Sequence, residues 1–363
     1  MSSYQSSMQI YIRECDDMNI YVAKPNFETI AIIDYCNSII WHEKYCGMGD
    51  FEIALPVSYE RKDIFAKDNL IYRDDREAVM IVEKIQLTTS EEDGDQIIVS
   101  GRTCDALIAR RIVWGQQTYS GYVGQCVIDL LNNNLINPSD PARKVDLFKL
   151  GEVPDILQTL EKQITGDGLL DSVIEMLSNY SMGYKISRDS GKLRIEIIQG
   201  TDRSSGNVAG NPTVKFSPEF DNLLSSTYEF DNTSYRNEVL IGGEGEGSAR
   251  TYAAIGGNVG LDRYEMFVDS RSTSSNDGEI TPEVYLEQLK EEGREKLAEN
   301  SVIETFAGEI EENSTYRYGE DYALGDIVQI ENEYGIGGKV RITGVTEKLD
   351  DSGYTIVLEY ENI

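Results

Sequence analysis

Alternating apolar and polar positions dominate both ends of the chain. Gln9-Ile-Tyr-Ile, Ile20-Tyr-Val, Ile30-Ala-Ile-Ile and Ile39-Ile-Trp-His read as strands, with β-branched and aromatic residues between turns of Asp, Asn and Gly. Next come Phe51-Glu-Ile-Ala-Leu, Asp68-Asn-Leu-Ile-Tyr and Val79-Met-Ile-Val-Glu-Lys-Ile. An acidic turn at Glu91-Glu-Asp-Gly94 then leads to Gln96-Ile-Ile-Val-Ser. Near the C-terminus the order returns as Phe306-Ala-Gly-Glu-Ile, Gly325-Asp-Ile-Val-Gln-Ile and Val340-Arg-Ile-Thr-Gly-Val. A turn at Asp350-Asp-Ser-Gly353 and Tyr354-Thr-Ile-Val-Leu-Glu-Tyr complete it. From Phe51 to Asp68 is 17 residues and from Phe306 to Asp326 is 20; from Val79 to Gly94 is 15 and from Val340 to Gly353 is 13. Either a duplicated β-unit or convergent β patterning gives such an echo. If duplicated, the unit lets three chains present six similar surfaces.

The period changes between residues 113 and 211. Val127, Leu130, Leu131 and Leu135 fall at helical spacing, as do Leu170, Val173, Ile174 and Leu177. The second helix is expected to stop near Gly183, where a left-handed residue is cheap. Tyr184-Lys-Ile-Ser, a turn at Asp189-Ser-Gly and Leu193-Arg-Ile-Glu-Ile-Ile read as a hairpin, and residues 154–161 as a short helix opened by Pro154. β patterning resumes at 212 with Asn222-Leu-Leu-Ser-Ser-Thr-Tyr-Glu-Phe and Asn237-Glu-Val-Leu-Ile-Gly, and residues 242–278, rich in Gly and Ser, are expected to be loops. A helix is predicted over 281–299, with Thr281 as cap, Pro282 in its first position and Tyr285, Leu289 and Leu297 on one side. The fold class is α+β, mainly β. Two duplicated β-barrel-like domains, 1–112 and 212–363, enclose an α/β insertion domain at 113–211.

Charge narrows the function. Asp and Glu number 64 against 33 Lys plus Arg, a net −31. Nucleic-acid affinity comes mainly from cations that displace counterions, so no specific nucleic-acid binding is expected. The densest acid lies between Glu283 and Asp321, twelve acids against four bases, and reads as a solvated face. The five cysteines (Cys15, Cys36, Cys46, Cys104, Cys126) form no Cys-x-x-Cys pair, so neither a disulfide framework nor a zinc site is suggested. The N-terminus lacks signal-peptide character, and no apolar run approaches the ~20 residues that span a bilayer. Assembly in a reducing cytoplasm without stable membrane insertion is the expectation.

Catalysis has little to draw on. His42 is the lone histidine, set between Trp41 and Glu43 at a strand end, and reads as structural. Gly242-Gly-Glu-Gly-Glu-Gly247 is no phosphate loop, because Glu244 and Glu246 would repel the ligand. Calcium loops around Gly278 or Gly94 fail at their first and last positions: Thr273 and Val284, Thr89 and Ser100. No catalytic, cofactor-binding or metal-binding residue is nominated, and no cofactor. Among 22 tyrosines, Tyr316, Tyr318 and Tyr322 stand out as candidate interface residues.

Ordered segments of the chain resemble a known family. Tyr45-Cys-Gly-Met-Gly-Asp-Phe-Glu-Ile-Ala-Leu-Pro56 looks like the opening signature of siphophage tail-hub proteins, relatives of the contractile-phage baseplate hub and of the N-terminal part of tail-associated proteins. Further similar pieces follow. They are Val99-Ser-Gly-Arg-Thr, Ala109-Arg-Arg-Ile-Val, Gly200-Thr-Asp-Arg-Ser, Tyr235-Arg-Asn-Glu-Val-Leu-Ile-Gly-Gly-Glu-Gly and Tyr316-Arg-Tyr-Gly-Glu-Asp-Tyr-Ala-Leu-Gly-Asp-Ile-Val. The resemblance implies a homotrimeric tail or baseplate hub in the virion. Two barrel-like domains per chain would match a sixfold tail tube to a threefold tip and line part of the DNA ejection channel. Implied partners are the distal tail protein or tail tube, the tape-measure protein, and tail fibre or tip proteins. With Ile363 closing the second repeat, wall-degrading or receptor-binding activity is expected on another protein. Competing readings are the hub of a contractile injection system, a virion-associated cell-wall hydrolase and a carbohydrate-binding β module.

Overall fold

The computed structural model describes residues 18–57, 64–89, 94–154, 157–275, 280–310 and 315–363. The expected strand at 9–12, Cys15 and turn residues 91–93 lie outside them. By packing, the chain divides into Met1–Thr227 with Phe306–Ile363, and Tyr228–Thr305.

In the first unit the N-terminal strands are β1 (Ile20–Ala23), β2 (Thr29–Ile33), β3 (Ser38–Lys44), β4 (Asp50–Pro56), β5 (Leu70–Arg73), β6 (Val79–Thr88) and β7 (Gln96–Thr103). The apolar run that opens β6 is buried on both sides. Met80 and Val82 join Trp41, Phe51 and Leu55 in one core, while Val79 and Ile81 face a second core shared with the segment that follows. Val79 and Ile81 thus share a core with residues on both sides of position 112.

The following segment contains β8 (Gln116–Tyr122), α1 (Val123–Leu131), β9 (Phe148–Leu150), β10 (Thr159–Thr165), α2 (Leu169–Ser178), β11 (Gly183–Asp189) and β12 (Lys192–Ile198). The two helical stripes are buried as expected, Val127, Leu130 and Leu131 from α1 meeting Leu170, Val173 and Leu177 from α2. Two local readings fail. Residues 159–161 belong to β10, paired with β8, and not to a helix; residues 155–156 are outside the described set. The left-handed residue after α2 is Ser181, at φ 57°, and Gly183 begins β11 instead. Glycine is needed there for space, since a Cβ would lie 2.3 Å from the Tyr45 carbonyl oxygen.

Next come β13 (Lys215–Phe216) and β14 (Ser225–Asp231), the latter passing into the second unit at Tyr228. Here β15 (Glu238–Gly242) lies between antiparallel β16 (Tyr252–Ile255) and parallel β17 (Glu265–Asp269). The helix α3 (Pro282–Glu299) packs Tyr285 and Leu289 on Val239 and Ile241. The Thr281 side chain caps the Val284 N–H, as read from sequence. The loop expectation for 242–278 fails at β16 and β17, whose Ala253, Ile255, Met266 and Val268 gain a core against that helix. The acidic face of α3 carries pairs such as Lys290–Glu287, Arg294–Glu291 and Lys296–Glu299.

The chain returns to the first unit at Phe306, within β18 (Ile303–Ile310), and continues through β19 (Ile327–Glu331), β20 (Gly337–Asp350) and β21 (Gly353–Asn362). The strand order β3-β4-β7-β6-β5-β1 recurs here as β14-β18-β21-β20-β19-β13. The likeness reaches single residues. Pairing of β6 with β7 slips between Val82 and Lys84, and that of β20 with β21 between Ile342 and Gly344. Such a bulge sharpens the local twist. Asp68 and Gly325, at φ 67° and 88°, donate to the Val82 and Ile342 carbonyls, and those residues donate back to Asn69 and Asp326. The outermost strands differ, β1 running antiparallel to β5 and β13 parallel to β19.

The two sets join through β20 and β3, antiparallel from Gly344 opposite Lys44 to Leu349 opposite Ile39, in one 13-stranded sheet. Its path is open, ending at β2 and β14. The barrel-like form expected from the sequence is therefore not closed within one chain among the described residues.

Candidate functional site

The seam between the strand sets carries the densest buried chemistry. Glu347 on β20, opposite Trp41 on β3, is 2% exposed. Arg73 Nη1 donates to it at 3.0 Å, and Arg76 Nε and Nη2 at 2.9 and 2.6 Å. Tyr354 donates its hydroxyl to the same carboxylate. Arg73, itself 1% exposed, also makes a two-point pair with Asp75 at 2.9 and 2.6 Å and lies 5.6 Å from the Trp41 ring centroid. A buried carboxylate persists only when its charge and lone pairs are met this fully. The cluster ties the loop after β5 to a strand from the far end of the chain. Nearby, the Trp41 indole N–H donates to Glu43 at 3.0 Å, yet burial and then the Glu347 charge push Glu43 up to about 7.

Tyr45, at the head of the Tyr45–Pro56 signature, staples the unit. Its N–H donates to Thr343 O, its carbonyl accepts from Tyr184 N, and its hydroxyl reaches Ser181 O and Ile198 O, both at 3.1 Å. Its ring lies against Gly325, where a Cβ would come within 2.2 Å of it. The Gly200–Ser204 and Gly325–Val328 segments meet as well: Asp326 accepts from Thr201 N and Arg203 Nε, both at 2.7 Å, and from Ala323 N at 3.0 Å. In the other unit, Glu238 accepts from Gly257 N at 2.6 Å and Asn258 N at 2.5 Å, which hold its carboxyl below the usual range. These signature residues thus act as internal fasteners.

The sequence candidates fall elsewhere. His42 Nδ1 lies 2.9 Å from Asp50 on the neighbouring strand, with Glu359 3.6 Å from Nε2. Of the three candidate tyrosines Tyr322 is core, fully buried edge-on to Phe216, while Tyr316 and Tyr318 are half-buried and Tyr318 packs on Tyr322 and under Arg76. In the 242–247 glycine run, Arg250 donates to the Gly242 and Gly243 carbonyls and Glu244 accepts from Ser275. Among the described residues no cluster of three or more His, Cys, Asp or Glu is placed to hold a metal. Missed by sequence reading was a cleft of about 430 Å³ lined by Glu43, Arg76, Asp105, Tyr184 and Tyr318. Burial raises Asp105 there to about 6, against donation from Thr103 and Tyr184, each at 2.5 Å.

Two stretches of strand are bare. Beyond its bulge β6 pairs only with β7, and β14 pairs only with β18, among the described residues.

The family described as Siphovirus ReqiPepy6 Gp37-like protein matches residues 18–359. No curated protein matches the sequence. Among solved structures, the fold is similar to the tail protein from Neisseria meningitidis MC58 (TM-score 0.60, 14% identity, 95% of this chain and 96% of that one). It is likewise similar to the prophage MuSo2 43 kDa tail protein from Shewanella oneidensis (0.62, 13%, 95% and 98%). A third likeness is prophage tail protein gp18 from Listeria monocytogenes EGD-e (0.50, 14%, 95% and 94%).

Proposed function

Since the chain belongs to the siphovirus ReqiPepy6 Gp37-like family and shares its fold with phage and prophage tail proteins, we propose that this virion protein is a homotrimeric tail hub. The observation that carries the reading is the strand order repeated within one chain, down to the bulges at Val82/Lys84 and Ile342/Gly344. Three chains with two such duplicated sets each form a wall of six similar β-units, closing as a ring the barrel that one chain leaves open. A sixfold tail tube or distal tail protein docks on one face; fibre or tip proteins use the threefold arrangement, and the tape-measure protein reaches the lumen. The net −31 charge keeps DNA from adhering as it passes.

Light scattering on the purified protein, followed by class-averaged electron micrographs, tests this. A threefold mass and a six-lobed ring are expected, and a stable monomer at micromolar concentration sinks the proposal. Genes beside this one separate a siphophage hub from that of a contractile injection system, which requires a sheath gene.

A second reading rests on the cleft with its two raised carboxylates, Glu43 and Asp105, where a hydrolase site would lie. Cell-wall zymogram activity abolished by Asp105→Asn would favour it. The fastening of both groups by Trp41, Thr103 and Tyr184 favours the structural role.

A further inference from the structure

The joint within the chain is a template for a joint between chains. In β20, residues beyond the bulge pair with β3: Gly344 opposite Lys44, Val345 opposite Glu43, Thr346 opposite His42, Glu347 opposite Trp41 and Lys348 opposite Ile40. The bulges equate Lys84–Thr88 of β6 with Gly344–Lys348 of β20. A second anchor equates β3 with β14. Asn37 donates to Ala54 O, three residues after Phe51, and Leu224 donates to Glu309 O, three residues after Phe306. Thus Ile40–Lys44 corresponds to Thr227–Asp231.

We propose that β6 of one chain pairs antiparallel with β14 of a second copy in the transposed register. Lys84 then faces Asp231, Ile85 faces Phe230, Gln86 faces Glu229, Leu87 faces Tyr228 and Thr88 faces Thr227. The proposal rests on the trimeric reading above and supplies its contact. It is a head-to-tail interface, and three internal and three external joints alternate around the closed ring.

Side-chain exposure supports this register independently. Ile85 and Leu87 are 41% and 58% exposed, whereas their counterparts Val345 and Glu347 are 1% and 2% exposed beneath β3. On β14, Tyr228 and Phe230 are 38% and 56% exposed. Alternation puts Ile85 and Leu87 on one face and Phe230 and Tyr228 on one face. The transposed register sets these faces together as aliphatic–aromatic pairs, while the other face sets Lys84 against Asp231, Gln86 against Glu229 and Thr88 against Thr227. A one-residue slip puts Ile85 opposite Glu229 and forfeits the match, so the side chains specify the register. The Tyr228 hydroxyl is already bonded to Glu304 within the chain, leaving its ring as the contact. Bare edges with apolar side chains are an aggregation hazard unless covered, and a second copy covers both.

The test uses the full chain. Leu87→Cys with Tyr228→Cys should give covalent trimers on mild oxidation. Gln86→Cys with Tyr228→Cys, one step out of register, should not. The wild type oxidised alongside controls for the native cysteines, of which Cys36, Cys104 and Cys126 are buried. Independently, Lys84→Asp should weaken association by about fivefold per joint, the factor for ~1 kcal/mol at a directly opposed like-charge pair, and adding Asp231→Lys should restore it. Wild type of threefold mass with no cross-link in register and no rescue overturns the strand pairing and leaves the trimer standing. Monomers at every concentration, with no cross-link, overturn both. Cross-linking that stops at dimers overturns the ring closure.

Discussion

Strands β20 and β6 share neighbours, direction and bulge, yet differ in what lies beside their second halves. Residues 344–349 of β20 are covered by β3, and the covered stretch holds a buried acid, Glu347, met by Arg73, Arg76 and Tyr354. Among the described residues the matching stretch of β6 has no such cover, and it carries Leu87 where β20 has Glu347. A charge can be buried where its counter-charges come from the same chain and arrive with folding. A surface whose cover comes from elsewhere does better with apolar groups, since water must wet it first and leave later. In the proposed trimer the same strand pattern would serve twice, once as a permanent joint within a chain and once as an open one between chains.

The two strands should differ most at the ion cluster. Glu347→Ala leaves the buried Arg73 and the half-buried Arg76 with Asp75 as their one remaining carboxylate and should destabilise the fold by about 3 kcal/mol in urea unfolding. Leu87→Ala, at the matching exposed position, should stay within about 0.5 kcal/mol when measured on monomer. Equal losses at both sites would show that the two strands do not differ as described. The positive-φ pair differs in the same way. Gly325→Ala drives a Cβ into the Tyr45 ring and should cost about 1–3 kcal/mol, whereas Asp68→Gly should be nearly neutral in the same titration. Tyr45→Phe removes the donor to two carbonyls and should cost ~1 kcal/mol.

A pH-dependent effect comes from Glu43. Glu43 holds its proton in the fold up to about 7, against an ordinary 4.5. Between those values the unfolded chain releases the proton while the folded chain keeps it, so this group withdraws stability as pH rises through that window. Glu43→Gln should therefore match wild type at pH 4 and unfold at higher urea at pH 8. Parallel curves across the range would remove Glu43 from the account.

Much of the strand plan was legible because half-buried strands alternate, and the echo between Phe51–Ser100 and Phe306–Tyr360 became an observed match of strand order. What escaped reading has physical causes. Glu347 is one of 64 acids, and nothing adjacent in sequence distinguishes the one buried by Arg73 and Arg76 from the chain's far end. The strands β16 and β17 are short and sit in Gly- and Ser-rich sequence, so their apolar residues become readable only against α3. Gly183 looked like a helix stop because helix ends favour glycine; its real constraint, the Tyr45 backbone, comes from 138 residues upstream. Tyr322 looked like an interface residue for its composition and proved to be core.

The pairing of Gly344 with Lys44 sets the order in which this molecule can be completed. A ribosome emits β3 long before β20, so the nascent chain carries an unfinished sheet margin for most of its synthesis. At roughly 5–20 residues per second that interval lasts on the order of 15–60 seconds. Long-range closure of this kind is slow, and the exposed margin invites a neighbouring nascent chain to take the place reserved for β20. Polysomes making this protein should therefore be a site of chaperone demand, and a swapped C-terminal arm its characteristic error.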